Sequence, residues 1–148
     1  MKHILVCLDS SERAPFVLVN AAELARLSGA KLSLFRAVGL PRELPASAYS
    51  MSPDSLVEKL LESAREELRV LADGLPAELQ GKLEVRIGSP SDAICATARE
   101  QHADLVVIGA HGYGSLDRLL GTTAAKVVNH IDRPVLVVRS PPGRLERE

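Results

Sequence analysis

Three short runs set the reading of this chain, each apolar without interruption: Ile4–Leu8, Leu105–Ile108 and Val135–Val138. A strand with one wet face alternates apolar and polar residues. A continuous apolar run of this length fits a strand covered on both faces. Two further strand segments are mixed. Lys31–Val38 is interrupted by Ser33 and Arg36, and Lys82–Ile87 alternates Leu83, Val85 and Ile87 with Glu84 and Arg86, as an edge strand does. With their flanking residues, the strands are predicted at Lys2–Leu8, Lys31–Val38, Lys82–Ile87, Asp104–Gly109 and Pro134–Arg139.

Between the strands the sequence turns helical. After Asp9, Ser10 or Ser11 is placed to cap a helix with Pro15 in its first turns, ending near Ser28 at Gly29. A second helix starts at Ser52-Pro53, with Ser55 and Glu58 in capping-box spacing, and stops at Gly74 and Pro76. Its Val57, Leu60, Leu61, Ala64, Leu68 and Leu71 form one apolar face. A third spans about Asp92 to His102, capped by Ser89 or Ser91, and a fourth Thr122 to Ile131. Gly39–Ser52 carries Pro41 and Pro45 and reads as an exposed loop, sensitive to proteases and placed to act as a lid.

Strict β-α alternation implies a parallel sheet with helices on both faces and right-handed crossovers. The class is therefore α/β, a doubly wound, Rossmann-like five-stranded sheet. Two strand orders suit it, 2-1-3-4-5 and 3-2-1-4-5.

The stretch from Ile108 to Thr123 joins an apolar run to a helix start through a glycine-rich loop. Glycines let backbone approach a ligand, and a helix N-terminus favours anions. A Walker A loop is excluded, because Gly121 is followed by Thr122 and no lysine. A dinucleotide fingerprint fails at its third glycine, where Asp117 stands. A G-x-S-x-G elbow is absent. What remains is Gly109-x-x-Gly112, eight residues (113 to 120), then Gly121-Thr122. Asp9, Thr122 and Thr123 have an alternative reading as helix caps.

The 148 residues are one domain's worth, taken as 1–140 with a flexible tail at 141–148. Net charge is −1, aromatics are 3% and no tryptophan is present, which argues against nucleic acid as a partner. No run is long enough to span a membrane, and Ile4–Leu8 is too short for a signal-peptide core, so a cytoplasmic location is expected. Cys7 and Cys95 lack C-x-x-C spacing and read as reduced, buried thiols. His3, His102 and His130 share no metal-ligand spacing.

These pieces resemble the universal stress protein family. The glycine pair followed by Gly121-Thr122 is similar to its signature, with an interval before Gly121 one residue shorter than the family's usual one. Val6-Cys7-Leu8-Asp9-Ser10-Ser11 resembles its first strand and turn. Gly88-Ser89-Pro90, Ala103–Gly109 and Arg133–Val138 resemble further segments. The resemblance spans about residues 2 to 139 and implies the order 3-2-1-4-5. Asp9 and Gly109 then end the two strands between which the winding reverses, the place where such sheets bind ligands. It also implies ATP, or ADP or AMP, possibly with Mg2+. Adenine and ribose contacts would fall on Cys7, Asp9 and Ala37. Ile108 would lie beside them. Phosphate and ribose contacts would fall on Gly109, His111, Gly112, Gly121, Thr122 and Thr123.

No catalytic residue and no protein-held metal are expected. A regulatory nucleotide-binding protein with little hydrolysis is the principal reading. The alternative is a dimeric signalling module of the same fold without nucleotide. An adenylating enzyme is disfavoured, since Asp9-Ser10-Ser11-Glu12 lacks the glycines of its phosphate loop. A homodimer is expected through Val135, Leu136, Val137 and Val138, because a bare apolar edge strand invites pairing and the resemblance implies the same contact.

Overall fold

The computed structural model describes residues 1–40, 52–110 and 119–139. Within these, the strands are β1 (His3–Cys7), β2 (Lys31–Val38), β3 (Gln80–Ile87), β4 (Leu105–Gly109) and β5 (Val135–Val138). The helices are α1 (Ala14–Ser28), α2 (Pro53–Asp73), α3 (Pro90–Glu100) and α4 (Thr122–His130), with a 3-10 turn at Ala77–Leu79. All four strand pairings are parallel, in the order β3-β2-β1-β4-β5. This is the 3-2-1-4-5 order; the flavodoxin-like order is ruled out. Residues 41–51 of the expected lid, His111 and Gly112, and the tail lie outside the described residues.

The side-chain period of two sorts each strand between two cores. Ile4, Val6, Leu32, Leu34, Leu105 and Val107 face α1 and α2, against Val17, Leu18, Ala21, Ala64 and Leu68. Leu5, Phe35, Val106 and Ile108 face α3 and α4, against Ile94, Ala98, Ala124 and Val127. Burying each large apolar side chain contributes roughly 1.5–3 kcal/mol. The runs of β1 and β4 thus have the expected cause, with helices on both sides; β5 departs from it, since Leu136 is 38% exposed. The register sets Val6 level with Leu34 and with Val107.

Within β2, the polar residues Ser33 and Arg36 are buried and paired. Arg36 donates to Glu67 of α2 at 2.5 Å. His3 Nδ1 donates to the Gln101 carbonyl at 3.1 Å, so in the neutral ring Nε2 accepts from the Ser33 hydroxyl at 2.8 Å.

α2 and α4 start where the sequence predicts, at Ser52-Pro53 and Thr122, while the start of α1 and of α3 and the cap of α4 differ. Neither Ser10 nor Ser11 is the cap of α1. Arg13 holds that position and makes no capping bond with its side chain, and the chain instead folds a tight Asp9–Ser11 turn first. For α2 the cap is Ser52, whose hydroxyl accepts from the Ser55 N–H at 3.2 Å. Ser55 is the third residue of the helix, because Pro53 takes the first position, where a missing N–H costs nothing. For the same reason Pro90 starts α3 two residues early, and Ser89 precedes it without a side-chain cap bond. Thr122 and Thr123 are not caps of α4; Gly121 is.

β3 is an edge strand, as its alternation predicts, but Leu83 is 43% exposed while Val85 is buried. An edge strand is flanked on one side only, so its core-facing side chains are covered unevenly. No helix among the described residues is long and apolar enough to cross a membrane.

Candidate functional site

β2 and β3 extend the sheet from one side of β1, and β4 and β5 from the other. The connections leaving β1 and β4 therefore diverge, and a cleft of about 550 Å³ opens between them at the carboxyl ends of the strands. That volume lies within the roughly 300–1,000 Å³ usual for small-molecule sites.

Eight sequence-predicted site residues meet on this cleft. Cys7 ends β1, Asp9 follows it, and Ala37 comes from β2. Ile108 and Gly109 end β4, and Gly121, Thr122 and Thr123 form the start of α4. His111 and Gly112 are not among the described residues.

Backbone hydrogen bonds fix the frame. The Leu8 N–H donates to the Phe35 carbonyl at 2.9 Å, and the Ala110 N–H to the Val138 carbonyl at 2.8 Å. The Gly121 N–H donates back to the Ala110 carbonyl at 2.7 Å, bringing the two ends of the glycine loop together. Gly121 itself has φ −61° and ψ 160°. That is extended backbone open to any residue, so a glycine is not demanded there by backbone conformation.

Asp9 is exposed and anchored. Its Oδ1 accepts from the Ser11 N–H at 2.9 Å and from the Ser11 hydroxyl at 2.5 Å. The Ser11 oxygen in turn accepts from the Arg13 N–H at 3.3 Å. Spacing of two residues makes this turn, and it holds the carboxylate at the cleft without making it a helix cap. Burial pushes the Cys7 thiol well above its ordinary range, and the neighbouring Cys95 raises it further. Cys7 is therefore a neutral thiol at physiological pH and a poor nucleophile. Both cysteines are free. No cluster of three or more potential metal ligands exists among the described residues.

Sequence reasoning missed part of the lining: Ser11, Ala14, Val17, Phe35, Pro90 and Ile94. The Gly88-Ser89-Pro90 turn was visible as a motif. What was not visible is that α3 enters this cleft with Pro90 and, one turn on, Ile94. Only the β3–β2–β1 order brings that helix start across from β3 to the end of β1.

The model of the universal stress protein family matches residues 1–139. "Universal stress protein A homolog 1" of Coxiella burnetii is 31% identical over 140 residues, covering 93% of this chain and 95% of its own length. The structure of the universal stress protein UspA from Lactobacillus plantarum superposes with a TM-score of 0.78 at 26% identity, over 93% of this chain and 97% of its own. A universal stress protein from Archaeoglobus fulgidus in complex with dAMP has a TM-score of 0.57 at 25% identity, over 94% and 98%.

Proposed function

This chain belongs to the universal stress protein family, and from that premise we propose that it is a regulatory protein that binds an adenine nucleotide and scarcely turns it over. One observation carries the reading. Cys7, Asp9, Ala37, Ile108, Gly109, Gly121, Thr122 and Thr123 all line a single cleft at the point where the sheet's winding reverses. Val17, Phe35, Ala37, Ile94 and Ile108 offer apolar walls to a purine. Asp9 offers a carboxylate to ribose hydroxyls or the adenine amine. The first turn of α4 offers backbone N–H groups and hydroxyls to a phosphate. The dAMP complex of the Archaeoglobus fulgidus relative supports the same ligand class.

Slow turnover follows from the residues at hand. Fast phosphoryl transfer requires a lysine or arginine clamp with metal, and a positioned base. The described residues lining the cleft include no lysine or arginine. Their one carboxylate, Asp9, is held by Ser11. Affinity in the micromolar range is expected, about −8 kcal/mol near 1 μM. Hydrolysis should fall far below the ~1–100 s⁻¹ of kinases.

Isothermal titration with AMP, and with ATP plus magnesium, tests this on the wild type and on Gly121→Val. Valine is tolerated by the backbone at this position but projects a branched side chain at the cleft wall beside Thr122. Binding by the wild type and its loss in the variant are the expected pair. Equal heats for both proteins would remove Gly121 from the site. Silence from the wild type with both ligands favours a dimeric module without nucleotide, and several turnovers per second an ATP-using enzyme.

A further inference from the structure

Ser11 lines the cleft together with Asp9, and the two differ sharply in exposure. Asp9 is exposed, whereas Ser11 is only 7% exposed. A serine so covered takes its hydrogen-bond partners from the protein. A hydroxyl has one proton to give and two lone pairs with which to accept. The Ser11 oxygen accepts the Arg13 N–H at 3.3 Å and gives its proton to Asp9 Oδ1 at 2.5 Å. The Ser11 N–H donates to the same carboxylate oxygen at 2.9 Å. A short hydroxyl bond to a carboxylate is charge-assisted, roughly twice as strong as a neutral one.

Both bonds fall on a single oxygen of the carboxylate. They fix the plane of the group and turn Oδ2 away from Ser11. The first turn of α1 makes no competing demand on it. The Ala14 N–H donates to the Ser11 carbonyl at 3.2 Å, Pro15 has no N–H, and Phe16 and Val17 both donate to the Arg13 carbonyl at 3.1 Å. The carboxylate is thus oriented by the turn and not by the helix. An exposed side chain that must be ordered on binding weakens affinity, and one ordered beforehand does not.

We propose that Ser11 is a positioning residue for ligand binding. Its hydroxyl holds Asp9 in one orientation with Oδ2 presented to the ligand, and it acts through Asp9 without touching the ligand itself. This rests on the adenine-nucleotide reading above.

The test is isothermal titration with AMP on the wild type, Ser11→Ala, Asp9→Ala and the double variant, with urea midpoints to show that each is folded. Ser11→Ala should weaken AMP by about three- to tenfold, the range that ordering one side chain spans. In the Asp9→Ala background the same change should cost nothing, because the carboxylate it orients is gone. Ser11→Thr keeps the hydroxyl and should bind AMP more tightly than Ser11→Ala. An equal loss from Ser11→Ala in both backgrounds overturns the positioning role, since a direct contact or a purely structural effect behaves that way. Wild-type affinity in Ser11→Ala overturns it as well, and a Ser11→Thr no better than Ser11→Ala removes the hydroxyl as the cause. Wild-type affinity in Asp9→Ala takes Asp9 off the ligand and overturns the proposal, with the nucleotide reading left standing. No heat from the wild type with AMP or with ATP plus magnesium overturns that reading and the positioning role with it.

Discussion

Asp104, one residue before β4, ties the chain's first residues to the sheet. Its Oδ2 accepts the backbone N–H of Lys2 at 2.8 Å and of His3 at 2.9 Å. Those two bonds, Lys2 first, hold its carboxyl below the ordinary value, helped by the N-terminal ammonium and His3. A carboxyl with a lowered folded pKa contributes stability above its unfolded value of about 4, and the contribution disappears as pH falls through the folded value. Asp104→Asn keeps an acceptor oxygen but cannot titrate. The variant should therefore lose less stability than the wild type between about pH 5 and pH 3, read as urea midpoints. Identical acid losses in the two proteins would show that this carboxylate contributes nothing to acid sensitivity. A second single-residue constraint sits at Gly81, where β3 crosses Ser33. A Cβ there would stand 2.8 Å from the Ser33 hydroxyl, which also accepts the Lys82 N–H at 3.1 Å. Close approach, not a left-handed turn, requires glycine at that position.

Among the elements, β5 has the most to settle. It pairs with β4 on one side and is the outermost strand of the sheet on the other. Val135 and Val137 pack toward the α3–α4 core, while Leu136 faces the opposite side of the sheet and is 38% exposed. An exposed apolar edge is a pairing template, and it is the surface through which we propose that a homodimer pairs. Leu136→Lys should shift sedimentation toward the monomer while changing fold stability by no more than about 0.5 kcal/mol, as surface substitutions usually do. Val137→Lys is the poorer choice, since it would damage the core as well. A wild type that sediments as a monomer at micromolar concentration sinks the dimer. Strands were legible because their cause is local: a run buried on both faces reads Ile-Leu-Val-Cys-Leu, and an edge reads Leu-Glu-Val-Arg-Ile. Helix caps were not, because a run of serines offers several hydroxyls and the backbone turn selects among them. Asp9 took Ser11 into a turn, and Pro90 moved the start of α3. The cleft was legible where it lies at strand ends, at Cys7, Asp9 and Gly109. It was not at Pro90 and Ile94, whose contribution depends on a helix that follows the far edge strand.

At the scale of the whole molecule, the cleft is a joint between the sheet's two halves. β1 supplies Cys7, β2 supplies Ala37, β4 supplies Gly109 and α4 supplies Thr122. The β5 end is tied to it through the Ala110 N–H on the Val138 carbonyl and the Gly121 N–H on the Ala110 carbonyl. A ligand seated there touches every helix and strand except α2, β3 and β5. It cannot keep those contacts in the unfolded chain, so binding must raise stability. At about 100 times its dissociation constant the gain is about 2.7 kcal/mol. For a domain of this size, each kcal/mol moves the melting midpoint by roughly 2–4 °C, giving a rise of about 5–10 °C. Protein concentration must be held fixed, since a homodimer's midpoint also depends on it. AMP, or ATP with magnesium, should raise the midpoint of the wild type, and Gly121→Val should show no rise with either. A midpoint unmoved by every adenine ligand, with the protein folded, would place the cleft's role elsewhere than nucleotide binding.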